Sequence, residues 1–148
     1  MSISSLLKSR HAECDELFVA MESLCLQEKW DAGSVTLSNF QLTLEAHFDE
    51  EESVIFPAFE AASGMLSGPT AVMRLEHQQI RALVGQIESA ISSKELNEFS
   101  GLGETLLILM QQHNLKEENI LYPMFDRTLV ASDVLVALNK KREVPCPT

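Results

Sequence analysis

Four histidines are the residues of this chain best suited to chemistry, and they obey one spacing rule. His47 follows His11 by 36 positions, and His113 follows His77 by the same 36. The two pairs are offset by 66 residues, and no histidine stands outside the scheme. Each second histidine is followed four residues later by a glutamate, in His47-Phe48-Asp49-Glu50-Glu51 and in His113-Asn114-Leu115-Lys116-Glu117. Residues i and i+4 stack on one face of a helix, with Cβ atoms about 5–6 Å apart. His47 therefore points with Glu51, and His113 with Glu117. An imidazole and a carboxylate one helical turn apart are what a metal site inside a helix bundle requires.

More than histidine recurs at the 66-residue shift. Met21-Glu22-Ser23 lies on Ile87-Glu88-Ser89, and the run from His47 to Pro57 lies on the run from His113 to Pro123. The shared frame is His, three variable residues, Glu-Glu, one variable residue, two aliphatics, an aromatic and Pro. Two helical hairpins of one design, packed about a pseudo-two-fold axis, would bring the polar residues to one internal plane. His11 and His77 then add one imidazole each from two further helices. Six donors converge: four imidazoles and the carboxylates of Glu51 and Glu117. Two metal ions would each take two histidines, and the glutamates could bridge them. Open positions would remain for solvent or a small ligand such as dioxygen. Imidazole with carboxylate suits iron, with manganese or zinc as rivals.

A single helical histidine is more often a surface or satisfied core residue, and His-x3-Glu alone is a common pair on solvated helix faces. The conjunction outweighs both readings. All four histidines obey one repeat, two carry the glutamate, and each sits on an apolar stripe. Buried without partners, such groups would each cost roughly 2 kcal/mol or more. Glu50, Glu52 and Glu118 are expected to be solvated or to support the ligands rather than to ligate. The outer imidazole nitrogens need partners, which spacing does not name. Tyr122 could approach the site, but packing is the expected role for it, as for Met73.

The elements that must position these residues read as helices. Leu6, Leu7, Cys14, Leu17, Phe18, Met21, Leu24 and Cys25 recur at three- and four-residue steps over about 5–28. Gly33 reads as a stop signal and Ser34 as a cap. A second helix runs over about 35–62, and Pro57 is expected to kink or end it by clashing with the carbonyl of Ser53. Ser63–Pro69 is a linker, with Pro69 placed to open a third helix over about 70–92. A fourth covers about 104–127 and a short fifth about 132–141, before a loose tail at 142–148. No stretch alternates with hairpin-type turns. The expected fold is all-α: one domain over 1–148 with its core at about 5–127, an antiparallel up-down four-helix bundle with a short C-terminal helix.

Composition narrows the partners. The chain has 148 residues, enough to bury about two-thirds of its unfolded surface. A net charge of −11 argues against nucleic acid or an anionic membrane as partner. Part of the acid, Asp49–Glu52 and Glu117–Glu118, sits beside the repeated histidines and would favour a cation. Cys14, Cys25 and Cys146 are an odd set without CxxC spacing, so they read as free thiols in a reducing compartment. Residues 1–10 lack a signal-peptide core, and the longest apolar runs are far short of the roughly 18 residues that span a membrane. A cytoplasmic location is the expectation.

Taken together, His11, His47-x3-Glu51, His77 and His113-x3-Glu117, with Pro57 and Pro123, resemble the hemerythrin-like, or HHE cation-binding, family from about Ser5 to Arg127. The resemblance implies a four-helix bundle around a non-haem, carboxylate-bridged pair of irons with an oxo or hydroxo bridge. By position, His11 and His47 would bind one iron, His77 and His113 the other, and Glu51 and Glu117 would bridge. Two departures count. Oxygen-carrying hemerythrins have a fifth histidine one turn before the third, where this chain has Met73. They also use an aspartate five residues after the last histidine, whereas this chain has Glu117 at four. Both departures speak against reversible oxygen storage and for a more reactive or exchangeable centre. Three functions follow as expectations. The first is a di-iron protein that binds or senses dioxygen, nitric oxide, peroxide or iron. The second is a di-iron enzyme of peroxide or nitric oxide detoxification or of iron–sulfur repair. The third is a zinc or manganese structural bundle.

Overall fold

The computed structural model describes residues 2–143. All regular structure among them is helical. Helix α1 spans Ile3–Leu26 and α2 spans Trp30–Glu50. A π-helical turn, Glu51–Ile55, leads directly into α3, Phe56–Ser63. Helix α4 spans Pro69–Ser92 and α5 spans Leu96–Lys116; a second π turn, Glu117–Leu121, leads into α6, Tyr122–Thr128. Helix α7 spans Ala131–Glu143. From α1 to the start of α6, every boundary of the first half recurs 66 residues later. The repeat read from four histidines therefore governs the backbone from α1 into α6.

The turns are shorter than their residues suggest. Helix α2 begins at Trp30 rather than near Val35, and α5 at Leu96 rather than near Glu104. Three-residue links, Gln27–Lys29 and Ser93–Glu95, close both hairpins. Each contains one left-handed residue, Glu28 (φ 58°) and Lys94 (φ 55°), again 66 apart. Gly33 is thus inside α2 and stops nothing. Its job is close approach: a Cβ there would lie 2.3 Å from the Sγ of buried Cys25 on α1. Gly33→Ala is expected to lower stability by about 1–2 kcal/mol in a thermal melt, overpacking outweighing the gain in helix propensity. Metal content should not change, because neither residue approaches the histidines.

Pro57 does not end its helix. The widened turn before it absorbs the missing donor: Phe56 N–H bonds to the Glu51 carbonyl, one residue further back than in an α-helix. Tyr122 N–H does the same to Glu117 ahead of Pro123. In the first half the freed carbonyl of Glu52 accepts from Arg74 Nη1 at 3.2 Å. The linker expectation holds: α3 ends at left-handed Gly64 (φ 73°), and Pro69 opens α4.

Helix α1 packs on α2, α2 on α4, α4 on α5, and α5 on α1, so the four long helices close a ring. The core within the ring is in two parts. One contains Phe18, Met21, Phe40, Ile87, Phe99 and Leu106 with their neighbours. The other contains Leu7, Ile55, Phe56, Phe59, Met73 and Phe125, and is closed by Val134 and Leu138 of α7. Most predicted ligands fall in sequence between the two: His11 between Leu7 and Cys14, Glu51 between Phe48 and Ile55, His77 between Met73 and Ile80, His113 and Glu117 between Met110 and Leu121. A polar layer thus lies between two apolar ones. Helix α7 runs past the expected end at Lys141, and the Arg142 guanidinium reaches Glu50 at 3.5 Å. The rest of the expected tail, with Pro145, Cys146 and Pro147, lies outside the described residues. Cys14 and Cys25 are free and buried. Burial, with the charges of Asp15 and Glu13, pushes the Cys14 thiol up to about 12, so it acts as a small apolar residue. Among the described residues no helix is long and apolar enough to cross a membrane.

Candidate metal centre

The six residues singled out by spacing are all buried. His11 is 4 % exposed, His47 and His113 2 %, and His77, Glu51 and Glu117 0 %. Burying this much ionisable surface without partners would be costly, so the arrangement of the donors decides what the layer is for. Glu51 Oε1 lies 3.3 Å from His47 Nε2 and 3.2 Å from His77 Nε2. Glu117 Oε1 lies 3.1 Å from His11 Nε2 and 3.0 Å from His113 Nε2. Each carboxylate therefore touches one histidine from its own helical run and one from the other hairpin.

Most of these approaches are not hydrogen bonds. The Nε2 atoms of His47, His77 and His113, with Glu51 Oε1 and Glu117 Oε2, are buried and have no partner. Lone pairs that crowd to 3.0–3.3 Å without hydrogen-bond angles fit a shared cation better than each other. Two groups of donor atoms lie within 4.8 Å of one another: Glu51, His77, His113 and Glu117 in one, and His11, His47 and Glu117 in the other. Either could hold a metal ion.

The outer nitrogens supply the partners that spacing left unnamed. His77 Nδ1 lies 2.6 Å from Glu52 Oε2, and His11 Nδ1 lies 2.8 Å from Glu118 Oε2. Those glutamates are 66 apart, and each serves a histidine of the opposite hairpin. His113 Nδ1 lies 2.8 Å from Glu76 Oε1. A carboxylate on the outer N–H fixes the ring and its tautomer and leaves Nε2 free to ligate. Glu52 is itself held by Arg81, and Glu76 by Lys116. Phe48 stacks on His77 with ring centroids 3.8 Å apart.

Electrostatics divides the layer. Burial and the neighbouring imidazoles push His47 down to about 3. Burial and then His113 push His77 down to about 4. Burial also works against the His113 cation, but the close Glu117 carboxylate and the bond to Glu76 outweigh it and raise that group. Burial and the Glu117 charge hold the Glu51 carboxyl well above the carboxylate range. Glu117 is kept ionised despite burial by the close approach of Glu51, His11 and His113. Without a cation the layer thus keeps a proton at Glu51 beside an ionised Glu117.

A model of the hemerythrin HHE cation binding domain matches residues 2–125. The chain belongs to this family. No curated protein and no solved structure matches it. For an HHE cation-binding domain, a buried His/Glu cluster with orphaned donor atoms is where a cation can sit.

Within the HHE frame, sequence reasoning missed Glu76 and gave Tyr122 the wrong preference. Tyr122, expected to pack, also brings its hydroxyl into the layer, 2.9 Å from His11 Nε2, 2.9 Å from Glu51 Oε2 and 3.2 Å from Glu117 Oε1. Its repeat partner is Phe56, which has no hydroxyl and stacks beside His77 at 5.8 Å. That Phe-to-Tyr difference was the available signal. Glu76 was missed because its mate in the repeat is Arg10, so the repeat hid it. Met73 is buried among apolar residues, as expected.

Proposed function

We propose that the chain is a single-domain, up-down antiparallel four-helix bundle that holds two irons bridged by carboxylates. In this reading His11 and His47 bind one iron, His77 and His113 bind the other, and Glu51 and Glu117 span the pair. The observation that carries it is the set of orphaned donor atoms in a buried layer: five inward-facing nitrogens and oxygens have no partner. The contact of each carboxylate with one histidine from each pair supports bridging. The three-residue links between α1 and α2 and between α4 and α5 support antiparallel neighbours.

When bound, a pair of non-haem irons supplies redox chemistry and open coordination for dioxygen, nitric oxide or peroxide. The protein's own part is to position and to exclude. The two apolar clusters keep bulk water from the layer. Glu52, Glu76 and Glu118 hold three imidazoles by their outer N–H groups. The Tyr122 hydroxyl stands between His11 and the two inner glutamates, where it can give or take one proton. Met73, in place of a further histidine, leaves both irons with two imidazoles. That favours handling of a reactive small molecule over its storage. The partners in this reading are small diatomic ligands or peroxide, in the cytoplasm, with neither nucleic acid nor membrane involved.

The test is spectroscopic. Anaerobically iron-loaded protein is exposed in turn to dioxygen, nitric oxide and peroxide. The expected result is a change in the iron charge-transfer bands with at least one of them, and repeated consumption if the protein is an enzyme. A spectrum that none of the three alters refutes the reading.

A further inference from the structure

At two positions beside the metal layer the 66-residue repeat exchanges charge. In the second half Glu76 accepts from His113 Nδ1 at 2.8 Å, and Lys116 holds Glu76 at 2.6 Å. The same positions in the first half are Arg10 and Glu50. The ion pair survives, with Arg10 Nε 3.1 Å from Glu50 Oε1, but its acid and base have changed places. Arginine has no acceptor to offer an imidazole. Among the described residues His47 Nδ1 consequently has no partner, although the ring is 2 % exposed. His47 instead lines an open pocket of about 260 Å³, whose rim includes Arg10, Glu50 and Arg142.

The other histidine of that pair is also less firmly held. His11 bonds to Glu118, whose side chain is 32 % exposed and which no arginine or lysine holds among the described residues. Glu52 behind His77 is 19 % exposed and carries Arg81; Glu76 behind His113 is 12 % exposed and carries Lys116. The donor groups differ in the same direction, with four residues around His77 and His113 and three around His11 and His47. A carboxylate on the outer N–H makes an imidazole a better ligand and fixes its ring, and losing such a partner costs roughly 10–100-fold in metal affinity.

We propose that the two metal positions are unequal by construction: the one at His77 and His113 keeps its ion, and the one at His11 and His47 exchanges it through the pocket beside Arg10 and Glu50. This rests on the two-metal reading above. The two half-sites of the repeat thereby take different roles, one resident and one exchangeable, and the exchanged Arg10–Glu50 pair is the cause.

The experiment loads the full chain anaerobically with Fe(II) and follows release to a chromogenic ferrous chelator. Wild type is expected to release one iron at least about tenfold faster than the other. The double substitution Arg10→Glu with Glu50→Lys gives the first half the second half's pair, and should slow the fast phase roughly tenfold or more. Glu76→Gln keeps the shape and an acceptor but weakens the carboxylate behind His113. It should speed the slow phase, so the test does not depend on the double variant folding. Two bound irons that leave wild type in a single phase overturn the inequality and spare the two-metal reading. A slow phase unmoved by Glu76→Gln also overturns it. A wild-type chain that never binds a second iron overturns both.

Discussion

Glu117→Ala is expected to empty both metal positions at once. Glu117 is the one residue common to both donor groups. Its Oε1 touches His11 and His113, which the proposed reading assigns to different irons. Losing an outer partner of a ligand costs roughly 10–100-fold in affinity, and losing a shared ligand should cost each position more. The variant also removes the ionised member of the acidic pair. Glu51 and the four imidazoles then face each other with no ionised carboxylate on their inner side, and the chain should be less stable even without metal. Metal quantification after purification, with a thermal melt, checks both consequences. Undiminished metal content would refute the assignment of Glu117.

Stripping metal from the wild-type protein is expected to have the second large effect. A ligand that binds only the folded state adds about 4 kcal/mol at a thousandfold excess over its Kd, which in a chain of this size moves Tm by roughly 8–16 °C. Chelation should lower Tm by that order and leave the helical content intact, because both apolar clusters remain. Protons should move in the opposite sense. Glu51 is raised well above its ordinary value and His113 is raised, so both hold a proton more tightly than usual, and a cation must displace it. Metal binding should therefore release protons and strengthen as pH rises through the folded values of these two groups. An indicator-dye titration in weak buffer would read the release. Binding that acidifies nothing would contradict the proton placement.

These results concern residues of which some were legible in the sequence and some were not. The six inner residues stood out because histidine is rare and the repeat is strict. Helix identity followed from three- and four-residue apolar steps, which no strand pattern matches. The link lengths were misread because glycine signals both a turn and a close approach. Gly33 serves the second purpose, against Cys25, and only the packing distinguishes them. Pro57 was read as kinking or ending its helix because α-helical hydrogen bonding was assumed, and the π turn at Glu51–Ile55 removes the conflict. Glu76 was hidden because its partner contact with His113 spans two helices and its repeat mate is basic. Tyr122 was visible as a Phe-to-Tyr change at position 56 plus 66, but its reach to Glu51 depends on the π turn that precedes it. Periodicity thus reveals what both halves share. The residues that make the halves differ needed the three-dimensional arrangement.

The central claim is two irons in one buried layer. It is tested most directly by counting metals in anaerobically purified full-length protein and recording its visible spectrum. The account predicts two irons per chain with iron charge-transfer absorption. Stoichiometric zinc that persists under iron supplementation, or a chain that binds no metal, would contradict it.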